Sequence, residues 1–124
     1  MSDESTPAAE DLTAAHCVPC EGGVPTLSSA EARAYLPSVP GWTLDESAKR
    51  IVRVVNAGDF AHGVAHINAI AEVAEAEQHH PDLSLTGYRH LHIELTTHAI
   101  GGLSKNDFIV AAKINDVLDA DCPG

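Results

Sequence analysis

Residues 88–97 read Tyr88-Arg89-His90-Leu91-His92-Ile93-Glu94-Leu95-Thr96-Thr97. Leu91, Ile93 and Leu95 alternate with His90, His92, Glu94 and Thr96. Successive side chains of a strand point to opposite faces, so this alternation predicts a strand from Tyr88 to Thr97 with one apolar and one polar face. A sheet with one solvated face is the signature of antiparallel rather than parallel pairing. Just upstream, Leu83 to Leu85 is a short strand candidate, and Gly87 supplies the turn between the two.

Further upstream, Ile51, Val52, Val54 and Val55 form a β-branched strand, preceded by the polar turn Asp45 to Lys49 and the short strand Gly41-Trp42-Thr43-Leu44. Between the two strand pairs lies the longest helical pattern, opened by Gly58-Asp59. Phe60, Val64, Ile67, Ile70, Ala71 and Ala74 recur at spacings of three and four, which predicts a helix of about five turns with one apolar stripe. Pro81 stops it. Before the first strand, Ser28 caps Ala30 to Leu36 with Glu31 at N3 of a capping box, and Pro37 and Pro40 end that helix. After the long strand comes a Gly-containing loop from Ala99 to Leu103. Ser104 then stands as N-cap with Asp107 at N3, opening a last helix from Phe108 to Leu118 with Phe108, Ala111, Ala112 and Val117 as apolar candidates. The order α-β-β-α-β-β-α predicts an α+β fold, a four-stranded antiparallel sheet with helices on one face. Its domain spans residues 27–120. Residues 1–26, acidic and rich in Ser, Thr, Pro and Gly, are expected to form an arm.

The 124 residues are enough for one domain. Lys and Arg number 7 against 18 Asp and Glu, a formal net charge of −11, which argues against direct contact with a nucleic-acid backbone or an anionic bilayer. No apolar run approaches the ~20 residues that span a membrane, and the N-terminus lacks the basic and apolar regions of a signal peptide. A cytoplasmic protein is expected. Aromatic residues make up 4% of the chain, so the core must be mostly Val, Ile, Leu and Ala. Three cysteines, Cys17, Cys20 and Cys122, do not make a disulfide framework.

Eight histidines stand out against this background, five of them at positions 79, 80, 90, 92 and 98. His79 and His80 follow the long helix, where the carbonyl end of its dipole and the neighbouring Glu75, Glu77 and Asp82 favour imidazolium, while burial favours the neutral ring. His98 ends the long strand at the glycine loop. Two imidazoles on separate elements, facing one pocket, suit an elimination in which one donates a proton to a leaving group and the other removes one. A simpler reading makes His79 or His80 a cap on the last helical carbonyls. His90 and His92 fit a surface or interface better than catalysis. His62 and His66 are spaced for one helix face, and a solvated face is favoured over a metal site. His16-Cys17-Val18-Pro19-Cys20 is a lone CxxC and a weak metal signal. Phosphate-binding glycine loops, a nucleophile elbow and HExxH are absent.

The run of Glu75, His79-His80-Pro81, Tyr88, Thr97-His98, Gly102-Leu103-Ser104 and Asp107, with its spacings, resembles the signature of the pterin-4a-carbinolamine dehydratases. Gly41-Trp42, Ile51 with Arg53, Asp59-Phe60 and Ala74-Glu75 are similar to the family as well, so that the resemblance covers about residues 27–119. It implies dehydration of a 4a-hydroxytetrahydropterin to quinonoid dihydropterin, a step of tetrahydrobiopterin recycling that uses no metal or organic cofactor. On that resemblance His79 and His98 are the acid and base, and His80 binds and polarises the pterin. Glu75 orients the histidine pair, Asp107 supports the His98 loop, and Thr97 belongs to the same supporting set. The family fold is likewise α+β, and its members assemble as homodimers or homotetramers. The fold also occurs in non-catalytic relatives, a transcription coactivator and Rubisco assembly factors among them. Retention of the three histidines favours the enzyme.

Overall fold

The computed structural model describes residues 26–97 and 100–121, together with Leu12. Among the described residues from 26 onward, three helices, a 3-10 turn and four strands follow in the expected order: α1 (Ser29–Tyr35), the 3-10 turn Leu36–Ser38, β1 (Thr43–Leu44), β2 (Ile51–Asn56), α2 (Phe60–Glu77), β3 (Asp82–Thr86), β4 (His90–Leu95) and α3 (Lys105–Asp121). All pairings are antiparallel, and the strand order in space is β1-β2-β4-β3. The two strand pairs predicted from their turns are therefore joined through β2 and β4.

The alternation in β4 is realised: Leu91, Ile93 and Leu95 are buried, whereas His92 is exposed. Register places Ile51 opposite Leu95, Val55 opposite Leu91, and Leu83 and Leu85 opposite Ile93 and Leu91, which gathers one apolar face across the sheet. That face joins Ile70 of α2 and Phe108, Ile109, Val110, Ile114 and Leu118 of α3 in a single core that also holds Leu12, Val39 and Trp42. Residues 106–112 of α3 are buried without interruption, as befits a helix enclosed on most of its circumference. Val117, expected among its core residues, is only half-buried, and Leu118 takes that place. Of the N-terminal arm expected over residues 1–26, Leu12 is buried in the core; the cysteine pair Cys17 and Cys20 and the lone Cys122 lie outside the described residues.

Local chemistry accounts for the element boundaries. The Ser28 capping box forms in full, with Glu31 N–H donating to Ser28 Oγ at 3.1 Å and Ser28 N–H donating to Glu31 Oε1 at 2.8 Å. Pro37 does not end the helical path at once, since the chain continues into the 3-10 turn, where a missing N–H is tolerated. Asp59 caps α2 by accepting from His62 N–H at 2.8 Å. That bond, reinforced by the His62 ring, holds the Asp59 carboxyl below the ordinary aspartate range. β4 begins at His90 rather than Tyr88, because Gly87 and Tyr88 both take left-handed backbone (φ +54° and +58°) to close the hairpin. Asn115 knots α3 to the start of the sheet: its Oδ1 accepts from Trp42 Nε1 at 2.9 Å and from Arg53, and its Nδ2 donates to Pro40 O at 3.0 Å.

The α2 stripe differs from the one expected. Gly63, His66, Ile70, Ala74 and Glu77 form the buried face, while Phe60 is 59% exposed and Val64 and Ala71 are also exposed. Gly63 leaves room on this face for the Leu85 side chain of β3. A Cβ there would stand 2.9 and 3.0 Å from the two Leu85 methyls, so its absence lets β3 approach the helix. His66, expected on a solvated face, is fully buried, and His62 is exposed beside Asp59. The two therefore do not share one solvated face.

Candidate active site

The site is built where α2 ends. Gln78 takes the left-handed conformation (φ +54°), its N–H donates to Ala74 O, and its side chain donates to Glu75 O at 2.7 Å. Glutamine thus serves the terminal carbonyls, and the two histidine rings turn to carboxylates. The sharp bend sends the adjacent rings in opposite directions. His79 is 7% exposed and reaches inward; His80 faces solvent.

His79 Nε2 lies 2.6 Å from Asp107 Oδ1, in a pair where Asp107 is wholly buried. The second carboxylate oxygen, Oδ2, accepts from the Thr97 hydroxyl at 2.8 Å and from the Ser104 N–H at 2.9 Å. Thr97 Oγ1 also lies 2.9 Å from Ser104 Oγ. An acceptor-only carboxylate receiving three donors is a fixed anchor, and it obliges His79 to present Nε2–H to Asp107. Nδ1 is then the ring nitrogen left for proton exchange. His80 Nε2 pairs with Glu75 Oε2 at 2.7 Å on the exposed side of the same helix end.

These contacts explain the acids near the C-terminus of α2, which run against the helix dipole. Glu75 holds His80, and Glu77 accepts from Lys113 Nζ of α3 at 2.6 Å. The second pair fastens α2 to α3 two residues before His79.

Of the residues singled out in the sequence, the structure brings together His79, Thr97 and Asp107, and beside them His80 and Glu75. The Glu75 carboxylate pairs with His80, and the carboxylate that pairs with His79 is that of Asp107. His98 lies outside the described residues. Its neighbour Thr97 is tied to Gly102 across the loop, with Thr97 N–H donating to Gly102 O at 2.9 Å. Tyr88 sits at the tip of the β3–β4 hairpin, 57% exposed with the Arg89 guanidinium 5.4 Å from its ring centroid. The extended strand β3 (Asp82–Thr86) runs about 14 Å at ~3.4 Å per residue between the end of α2 and this hairpin tip, so within one chain Tyr88 stands away from the His79 pair. His90 and His92 lie on the polar face of β4. Among the described residues no group of three or more His, Cys, Asp or Glu side chains is arranged to hold a metal ion. Nor does any described helix have the length and apolarity to cross a membrane. The member that sequence reading missed is the Ser104 hydroxyl, which looked like a helix cap because it stands three residues before Asp107.

An antiparallel sheet covered by helices on one face, with two histidine–carboxylate pairs at a helix end, defines a small α+β protein. Residues 25–117 match the model of the family described as pterin 4 alpha carbinolamine dehydratase, and the chain belongs to that family. It is 45% identical over 109 residues to a protein of Halorhodospira halophila, covering 88% of this chain and 98% of the relative. It is 46% identical over 109 residues to one of Nitrosomonas eutropha, covering 87% and 94%. Both carry the name "Putative pterin-4-alpha-carbinolamine dehydratase". The crystal structure of a transcriptional coactivator/pterin dehydratase from Brucella melitensis shares the fold, with a TM-score of 0.70 and 26% identity over 75% of this chain and 98% of that one.

Proposed function

We propose that this protein is a hydro-lyase that dehydrates 4a-hydroxytetrahydropterin to the quinonoid dihydropterin in tetrahydrobiopterin recycling. The observation that carries the reading is the buried His79–Asp107 pair beside the accessible His80–Glu75 pair at the same helix end. In the reaction the C4a–O bond breaks and the hydroxyl leaves as water with a proton from an acid. The N5–H bond gives its proton to a base, and the C4a=N5 double bond forms. His79 and His98 are assigned the acid and base roles. His80, open to solvent and held by Glu75, binds and polarises the pterin. Asp107 serves both sides, anchoring His79 directly and the His98 loop through Thr97. The protein acts in the cytoplasm as a homodimer or homotetramer.

The test is to mix purified protein with chemically generated 4a-hydroxytetrahydropterin and follow quinonoid formation by absorbance. Acceleration over buffer supports the reading, and a rate equal to buffer removes it. His98→Ala is expected to slow the reaction at least 100-fold with the fold intact, the scale of a lost general acid or base. A larger effect from His90→Ala or His92→Ala would reassign the site to the sheet face. The coactivator part of the Brucella protein's name favours a second reading, a binding protein of the same fold. Co-purification of a partner that survives His79→Ala, in a protein without dehydratase activity, would select it.

A further inference from the structure

The two serines that open helices in this chain do different things with their hydroxyls. At α1, Ser28 Oγ accepts from the N3 amide and Glu31 reaches back to the Ser28 N–H, a complete box. At α3 only the second half has that form. Asp107 reaches back to the Ser104 N–H at 2.9 Å, while the Ser104 hydroxyl stands against Thr97 Oγ1 at 2.9 Å and the Asp107 N–H donates to the Ser104 carbonyl at 3.1 Å. Both hydroxyls are inside the protein, with Ser104 0% and Thr97 2% exposed.

Counting hydrogens fixes their directions. Thr97 has one hydroxyl hydrogen, and it goes to Asp107 Oδ2 at 2.8 Å. Its oxygen must therefore accept from Ser104 at that contact, since two lone-pair oxygens cannot bond without a hydrogen between them. The result is a directed chain, Ser104 to Thr97 to Asp107, met from the other side by His79 Nε2–H. We propose that Ser104 is a positioning residue: its hydroxyl orients Thr97, which fixes Asp107 and thereby holds His79 as the Nε2–H tautomer with Nδ1 left for proton exchange. The helix cap is given up so that the loop beginning at Thr97 and the histidine at the end of α2 are set by one carboxylate. The catalytic part of this inference rests on the dehydratase reading; the tautomer part does not.

The test combines kinetics with long-range proton–nitrogen NMR of the His79 ring. In the wild-type protein the neutral ring is expected as the Nε2–H tautomer. Ser104→Ala should lower kcat about fivefold, the worth of one net hydrogen bond, with KM changed less than about twofold, and should mix the His79 tautomers. Ser104→Thr should restore both readouts. Thr97→Val, isosteric but without the hydroxyl, should mix the tautomers as well, and covers the case in which Ser104→Ala does not fold. A wild-type Nδ1–H tautomer overturns the proposal. So does a Ser104→Ala protein that is less stable yet keeps the wild-type tautomer and kcat, because that is the behaviour of a plain helix cap. A wild-type protein without dehydratase activity fails the functional reading alone, and the NMR comparison still decides the role of Ser104.

Discussion

Two adjacent histidines at the end of α2 meet different carboxylates. With Gln78 in the left-handed region, His79 and His80 leave the helix end in opposite directions, one to a buried carboxylate and one to an exposed one. The energetic consequences are unequal. Asp107→Ala would strand the Thr97 hydroxyl, the Ser104 N–H and the His79 ring, all buried, and is expected to cost about 3 kcal/mol in urea denaturation. His80→Ala breaks a pair open to water, and its stability should stay within about 0.5 kcal/mol of wild type in the same measurement. A loss of activity in that variant then reports on the proposed pterin contact rather than on folding. The two histidines and Glu75 were legible from their place at the helix end, whereas Thr97 and Asp107 entered as site residues through the resemblance to the family. Their pairing was not legible: His79 and Asp107 are 28 positions apart, and nothing local distinguishes which histidine faces inward.

At the scale of elements, caps and turns were readable because their chemistry is local. Ser28 with Glu31, Asp59 and Gly87 each act within a few residues. Asp59 gives a pH prediction. Its carboxyl is depressed by the His62 N–H and ring, so its contribution to α2 is complete above the ordinary aspartate range and is lost as pH falls through the depressed value. The stability gap between wild type and Asp59→Ala should be constant above about pH 5 and narrow steadily in more acidic denaturation series. The buried stripe of α2 was not readable. Alanines at 61, 65, 69, 71, 74 and 76 make almost every face of that helix acceptable to a core, so periodicity alone set Phe60 and Val64 inside. The phase is expected to depend on Gly63, which has no side chain to hold Leu85 away. Gly63→Val would push against the Leu85 methyls and is expected to destabilise by about 1–3 kcal/mol, checked by thermal and urea unfolding; stability equal to wild type would mean that Gly63 does not set the phase.

For the whole molecule, charge and topology matter most. A net charge of −11 on 124 residues implies self-repulsion in the folded state, so Tm should rise as NaCl goes from about 10 to about 150 mM, over which the Debye length falls from about 30 to about 8 Å. An unchanged or falling Tm would show that the local pairs, among them Arg50–Glu94 and Lys113–Glu77, already offset that repulsion. The α+β class and the order of the elements were fixed locally, because hydrophobic alternation, capping and turn formation act over a few positions, and the candidate site residues were marked by the resemblance to the family. Tertiary structure decided that β2 pairs with β4, which face of α2 meets the sheet, and that one buried carboxylate joins a helix end, a strand end and the first turn of α3. Those outcomes depend on packing between segments far apart in the chain, where steric fit and burial select among arrangements that local preferences leave equal.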